Sequence, residues 1–221
     1  SIAIIRGGIM FTSNKTWFCR GLETEKAKEI VDKLNDAIDD GNHAEATELF
    51  NQLKKYMRKR INDNYFSPVE RINVTLHKLE VPENTAFITM SICCILIELY
   101  FEMVNGYDKS QDSGCVANAY RAVLPLLDSN ISKSMADIFY KGIRCGILHQ
   151  AQTKKNTALT YEIELIFEKN GPYYLSNPNT VFENLKDLYA DYWEMISIKN
   201  YCDKEGKKLI AKLMYILKQI E

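Results

Sequence analysis

The chain has 221 residues, 46% of them hydrophobic and 26% charged, with a formal net charge of −1. This is the ordinary composition of a soluble globular protein. The near-neutral balance excludes a global basic field that would advertise nucleic acid, and leaves only a local patch open.

The opening stretch, "SIAIIRGGIMF", lacks the basic flank and apolar length of a secretory signal. Residues 23–40 then place Ala27, Ile30, Val31, Leu34 and Ile38 on one helical stripe, and "DGN" at 40–42 breaks it. Residues 43–61 repeat the pattern with Ala46, Leu49, Phe50, Leu53, Tyr56 and Met57, which predicts an antiparallel helical hairpin. Its second helix carries "KKYMRKR" at 54–60, read as a solvated helix face, with contact to RNA or an acidic partner as the alternative.

Turn formers fill 62–70, and the alternation of Ile72, Val74 and Leu76 suggests a short strand or extended linker. Pro82 closes it and marks the expected boundary between an accessory segment, 1–82, and a core module, 83–221. The run from Phe87 to Val104 is apolar on nearly every face, as in a helix surrounded by protein. The longest apolar run, Phe87 to Phe101, contains Glu98 and is too short to span a bilayer, so no membrane partner is expected.

A shorter helix over 115–127 is interrupted by Pro125. The next, 134–150, aligns Met135, Ile138, Phe139, Gly142, Ile143, Gly146 and Ile147. Gly142 and Gly146 each cost up to about 1 kcal/mol of helix propensity, which predicts that another backbone packs closely there. "LTYEIELIFEKNGPYYLS" at 159–176 alternates and then turns at Asn170-Gly171, a β-hairpin pattern. Thr180 and Glu183 suggest a capping box before a helix striped by Val181, Leu185, Leu188, Tyr189, Tyr192 and Ile196. A last amphipathic helix runs from about Asp203 to the end. The expected fold is mainly α, with one small β-hairpin.

Chemistry has few places to reside. Six cysteines, at 19, 93, 94, 115, 145 and 202, form no C-x-x-C spacing, so the thiols read as reduced, as in a cytoplasmic protein. His43, His77 and His149 are the only histidines, and none sits in a metal-ligand spacing. His43 and His77 read as structural, and Trp17 and Trp193 as packing residues. Phosphate-loop, dinucleotide and hydrolase-elbow motifs are missing. Metal-independent acid–base work, with no metal and no cofactor, is what elimination leaves.

Arg144 and His149 bracket the apolar run in "IRCGILHQ". Glu98 is the only charge between Phe87 and Phe101, in a helix read as buried, so it needs a cation, and Arg144 is a suitable one. The buried acidic helix followed by "FYKGIRCGILHQAQTK" resembles the HEPN (higher eukaryotes and prokaryotes nucleotide-binding) superfamily over roughly residues 84–155. The resemblance implies a helical bundle, commonly dimeric, in which an R-x4-6-H motif at a helix end serves a metal-independent endoribonuclease. Such enzymes belong to toxin–antitoxin, phage-defence or RNA-processing systems, with an antitoxin or regulatory protein as a further partner. By position it assigns Arg144 and His149 as catalytic and Glu98 as the acidic helper. The residue after the arginine, commonly Asn, Asp or His in active members, is Cys145 here. A catalytically inactive nucleotide- or RNA-binding or dimerisation module therefore stands as one alternative, and a helical structural protein in which Arg144 only neutralises Glu98 and His149 only caps a helix end stands as another.

Positions five apart on an α-helix point about 140° from each other. One helix aims both groups at one phosphate only if the arginine wraps round or the helix ends first. Two copies about a two-fold axis would supply a shared cleft, so a homodimer is expected. His149 would exchange a proton with the RNA 2′-hydroxyl or the leaving 5′-oxygen, and Arg144 would hold the phosphate. Lys154 and Lys155 are expected to guide the RNA backbone, or else to lie in a solvated loop.

Overall fold

A computed structural model describes residues 17–78 and 85–219. The opening stretch through Thr16, the boundary at Pro82 and Ile220 lie outside the described residues. Strands β1 (Trp17–Cys19) and β2 (Leu22–Glu23) pair antiparallel and seat Phe18, Cys19 and Leu22 in the core. Helices α1 (Thr24–Asp39) and α2 (His43–Ile61) form the expected hairpin. Gly41, at φ 71°, makes the turn, and the Asn42 side chain accepts from the Glu45 amide to cap α2. The stripes face each other: Ala27, Val31 and Leu34 of α1 are buried, as are Ala46, Phe50, Leu53 and Met57 of α2.

The turn expected over 62–70 and the strand or linker around Ile72 and Val74 are helical instead. A π-helical turn, Asn62–Phe66, leads from α2 directly into α3 (Ser67–Lys78). Pro68 follows the π-helical turn directly, and the ladder goes without one bond there, since proline has no N–H to donate. A helix that is only being extended needs no new nucleus, and this outweighs three alternating side chains.

Helix α4 (Ala86–Asn105) is the central element, packed along α8 (Pro178–Ser197), α5 (Ala117–Leu127) and α9 (Lys204–Lys218). Cys93, Cys94, Leu96 and Ile97 are fully enclosed on it. Among the described residues it is the one helix long and apolar enough to cross a membrane by length and composition alone, and half of that window is buried inside the fold. Gly106 ends it in the left-handed region, where a Cβ would stand 3.1 Å from the Lys208 backbone.

Helix α6 (Lys133–Phe139), capped by Ser132, runs into a π-helical turn, Tyr140–Arg144, and then α7 (Cys145–Gln150). The hairpin expected over 159–176 is only partly formed. β4 (Glu168–Asn170) and β5 (Tyr173–Ser176) meet antiparallel across a turn at Gly171-Pro172, one residue on from the one expected, but 160–167 carries no strand. The far edge of β5 is taken by β3 (Thr157–Leu159), parallel, giving the order β3-β5-β4. Ile166 and Phe167 are buried while Tyr161 and Leu165 are exposed, so the alternation marks no sheet face.

The expected capping box at Thr180 and Glu183 is replaced by Asn177, whose side chain accepts from the amides of Asn179 and Thr180 at 2.9 and 3.3 Å. With Pro178 as the first helical residue, the N-terminus lies three residues earlier than the sequence suggested. One apolar core joins the hairpin's Phe50 and Met57 to Met90, Leu185 and Leu213 of the later helices.

Candidate active site

Glu98 and Arg144 meet in a side-on pair where α4 passes the α6–α7 run. Arg144 Nε donates to Glu98 Oε1 at 2.8 Å and Nη2 to Oε2 at 3.3 Å. The side chains are only 16% and 19% exposed, so breaking the pair would strand a charge in poorly solvated surroundings. The enclosed Tyr120 hydroxyl adds a third donor, 2.9 Å from Glu98 Oε1. Burial alone would weaken the proton's hold on Arg144, but the hydrogen bonds and charge of Glu98 outweigh it and raise the guanidinium above its ordinary value. The Tyr140 ring lies 5.8 Å from Arg144 Cζ and completes the enclosure.

The remaining nitrogen of Arg144 faces the histidine. Nη1 is 3.3 Å from His149 Nε2, and His149 is exposed. A guanidinium only donates, so this contact is a hydrogen bond when Nε2 carries a lone pair and the proton sits on Nδ1. The angular objection to convergence within one chain is thus met by the arginine, which wraps round, while the helix itself runs past His149 to Gln150. Ala151 closes it in the left-handed region at φ 54°, its amide donating to the Ile147 carbonyl.

The chain then doubles back over its own helix. A Cβ on Gly146 would lie 2.3 Å from the Gln152 carbonyl oxygen, and one on Gly142 2.4 Å from Thr157 Cγ2. The expectation of close backbone packing at both glycines holds, and the visitor is the segment immediately downstream. The Lys154 amide donates to the Gly142 carbonyl at 2.9 Å, satisfying an acceptor inside the π-helical turn. Lys155 and Asn156 also sit at φ 54° and 58°, so three non-glycine left-handed residues follow His149 within seven positions.

Glu98, Arg144 and His149 are therefore brought together. Lys154 and Lys155 are not joined to them by any side-chain contact: Lys154 takes part through its backbone, and Lys155 is exposed on the turn. Cys145 is half-buried beside Tyr140. Burial pushes the Cys94 thiol up to about 12 and raises Tyr120 well above its ordinary value, so both stay protonated beside the pair. Tyr120 and Tyr140 were not singled out in the sequence. Only the i,i+4 spacing of Tyr140 and Arg144 could have pointed to either.

Arg144 and Glu98 line a cleft of about 320 Å³ with Arg60, Tyr65, Ile95, Glu102, Leu148 and Lys212. One turn beyond Glu98, Glu102 pairs with Lys212 at 2.6 Å. The "KKYMRKR" cluster is only partly the solvated face expected: Lys55 and Arg58 are exposed, but two other cations have structural partners. Lys54 is buried and donates to the carbonyls of Ile196, Ser197 and Lys199 at 3.3, 3.1 and 2.9 Å, closing the end of α8. Lys59 pairs with Asp63. His43 bonds the Tyr201 hydroxyl, in keeping with a structural role, and Trp193 is buried while Trp17 is exposed. No group of three or more metal-ligating side chains occurs among the described residues. Comparison of the chain with family models, with curated proteins and with solved structures gives no match.

Proposed function

We propose that the chain is a metal-independent endoribonuclease of HEPN type that works as a homodimer in the cytoplasm. The observation that carries the reading is the relay from Glu98 through Arg144 to His149. Two arginine nitrogens are fixed by the carboxylate, and the third is held at an exposed imidazole.

A phosphodiester oxygen is a stronger acceptor than an imidazole nitrogen, so RNA entering here would take Nη1 and free the His149 lone pair. His149 would then accept the 2′-hydroxyl proton as the 2′-oxygen bonds to phosphorus and the P–O5′ bond breaks, the 5′-oxygen taking up a proton as it leaves. Arg144 would offset the charge that builds on the phosphoryl oxygens. The products are a 2′,3′-cyclic phosphate and a 5′-hydroxyl, and the need for a 2′-hydroxyl confines the reaction to RNA. Glu98 acts through Arg144 and is a positioning residue.

The homodimer is supported by Ile88 and Leu148, which are 54% and 40% exposed, the latter beside His149. A second copy would supply a second His149, one acting as base and one as acid. The resemblance sets such an activity in toxin–antitoxin or phage-defence systems, where a protein partner restrains it.

The test is cleavage of mixed RNA in EDTA. Wild type should give 2′,3′-cyclic ends. His149→Ala should lose about 10²–10⁴-fold and Arg144→Ala about 10²–10³-fold, with circular dichroism retained. Binding without cleavage would favour the inactive-module alternative, to which Cys145 inclines, since it offers the cleft no Asn, Asp or His. A strict monomer in sedimentation at micromolar concentration would overturn the dimer.

A further inference from the structure

We propose that Arg60, on helix α2, is a second phosphate-binding group: it holds the backbone of a nucleotide next to the one at Arg144, within the same cleft. This rests on the ribonuclease reading for the identity of the ligand, and on separate residues for the site.

Three cations, Arg60, Arg144 and Lys212, line the cleft against two carboxylates, Glu98 and Glu102. Both carboxylates are already engaged. Glu98 is held by Arg144 and Tyr120, and Glu102 by Lys212 together with the Ser110 amide and hydroxyl. Arg60 has no carboxylate within ion-pair distance among the described residues. Its Nη1 donates to the Phe18 carbonyl, and its guanidinium lies 4.9 Å from the Phe18 ring centroid. That fixes the group while leaving most of its five N–H donors unused.

The two arginines also differ in the direction their surroundings push them. Glu98 raises Arg144, whereas burial lowers Arg60, which remains a cation without a counterion. The cleft beside it suits an anion from outside. Tyr65, Ile95, Leu99 and Ile216 supply apolar wall around it. At about 320 Å³ the space falls in the range of small-ligand sites, room for one nucleotide beyond the scissile phosphate. A phosphate on Arg60 and a base against the apolar wall satisfy both halves of that lining.

The test is equilibrium binding of a single-stranded 2′-O-methyl RNA decamer, which cannot be cleaved through its blocked 2′-oxygen, to the full chain by fluorescence anisotropy. Arg60→Gln should weaken binding about tenfold and lower the salt slope by about one counterion. Arg60→Lys should restore the slope and lose no more than about threefold. Ile216→Glu, which leaves the Phe18 contact alone and puts a carboxylate on the cleft wall, should also lose about tenfold and decides the matter if Arg60→Gln fails to fold. Lys55→Gln, an exposed cation of the same helix, should bind as wild type.

Equal binding by wild type, Arg60→Gln and Ile216→Glu overturns the proposal, as does an equal loss in Lys55→Gln. If wild type cleaves RNA but Arg60→Gln binds unchanged, the ribonuclease stands and this site falls. If wild type binds without cleaving and Arg60→Gln binds tenfold less, the site stands and the ribonuclease falls. No binding by wild type overturns this site, and the ribonuclease falls with it if wild type also leaves RNA uncut.

Discussion

Helix α4 carries two carboxylate–cation pairs one turn apart, and they are spent differently. Around Glu102 every strong group is consumed: Lys212 Nζ serves Glu102 and the Asp108 carbonyl, both at 2.6 Å, and Glu102 holds the Ser110 amide and hydroxyl at 2.7 and 2.8 Å. That pair fastens the loop after α4 to α9. Around Glu98 the carboxylate is equally occupied, but Arg144 keeps one nitrogen for an exposed histidine. Two pairs of like composition thus divide into a structural tie and a group with a hand free. What separates them is the count of unused donors, since both are largely buried.

The contrast can be broken by mutation. Lys212→Met should cost about 3 kcal/mol, because Glu102 is left buried without its cation. Cleavage per folded molecule at saturating RNA should fall far less than in Glu98→Gln, since the uncovered carboxylate weakens binding in the cleft and leaves Arg144 and His149 in place, as read from urea unfolding beside RNA turnover. Glu98→Gln should show the reverse emphasis, losing about 2 kcal/mol of stability and about 10²-fold in cleavage as Arg144 loses its fixed pose. Equal effects on both readouts in both variants would erase the distinction.

Smaller changes sharpen it. Gly146→Ala forces a methyl against the Gln152 carbonyl, so about 1–3 kcal/mol should be lost, with reduced cleavage because the helix end carrying His149 must shift. Ala151→Gly relieves a left-handed alanine and should raise stability by about 1 kcal/mol, or 2–4 °C in Tm. Alkaline pH probes the neutral thiol beside the active pair. The folded Cys94 thiol is raised from its ordinary 9.0 to about 12, so its contribution to stability is complete below pH 9 and is lost as pH rises through about 12. Urea midpoints should fall across that window, and less steeply in Cys94→Ala.

Much of this was legible in the sequence. The hairpin of α1 and α2, the enclosed α4 and the striped α9 follow from spacing of apolar side chains. The Glu98–Arg144 pair follows from the expense of a lone buried charge. The two glycines announced close packing. What spacing could not convey was hydrogen-bond register. Nothing in Tyr140–Arg144 marks a π-helical turn, which carries every later side chain round relative to a straight helix. The strand reading around Ile72 failed because it weighed three residues without the helix feeding into them. The hairpin reading failed over 160–167 because β5 takes β3 as its parallel neighbour, and the stretch leading into β3 holds three left-handed residues, none of them glycine. Arg60 was visible only as one member of a basic run, and its neighbours Lys54 and Lys59 turned out to have other duties.

The doubling-back of 152–157 over Gly146 and Gly142 bears on how the molecule assembles. Those contacts join residues six to fifteen apart, so the chain entropy lost in making them is small. The segment from Tyr140 to Thr157 can take its shape early, before the distant hairpin has docked. The backbone that carries Arg144 would then be in shape before α4 docks, and Glu98 and Tyr120 arrive from elsewhere to fix its guanidinium. A motif put together in this order is portable. The same stretch could move to another scaffold with one acidic helix, where its histidine and arginine would meet as they do here.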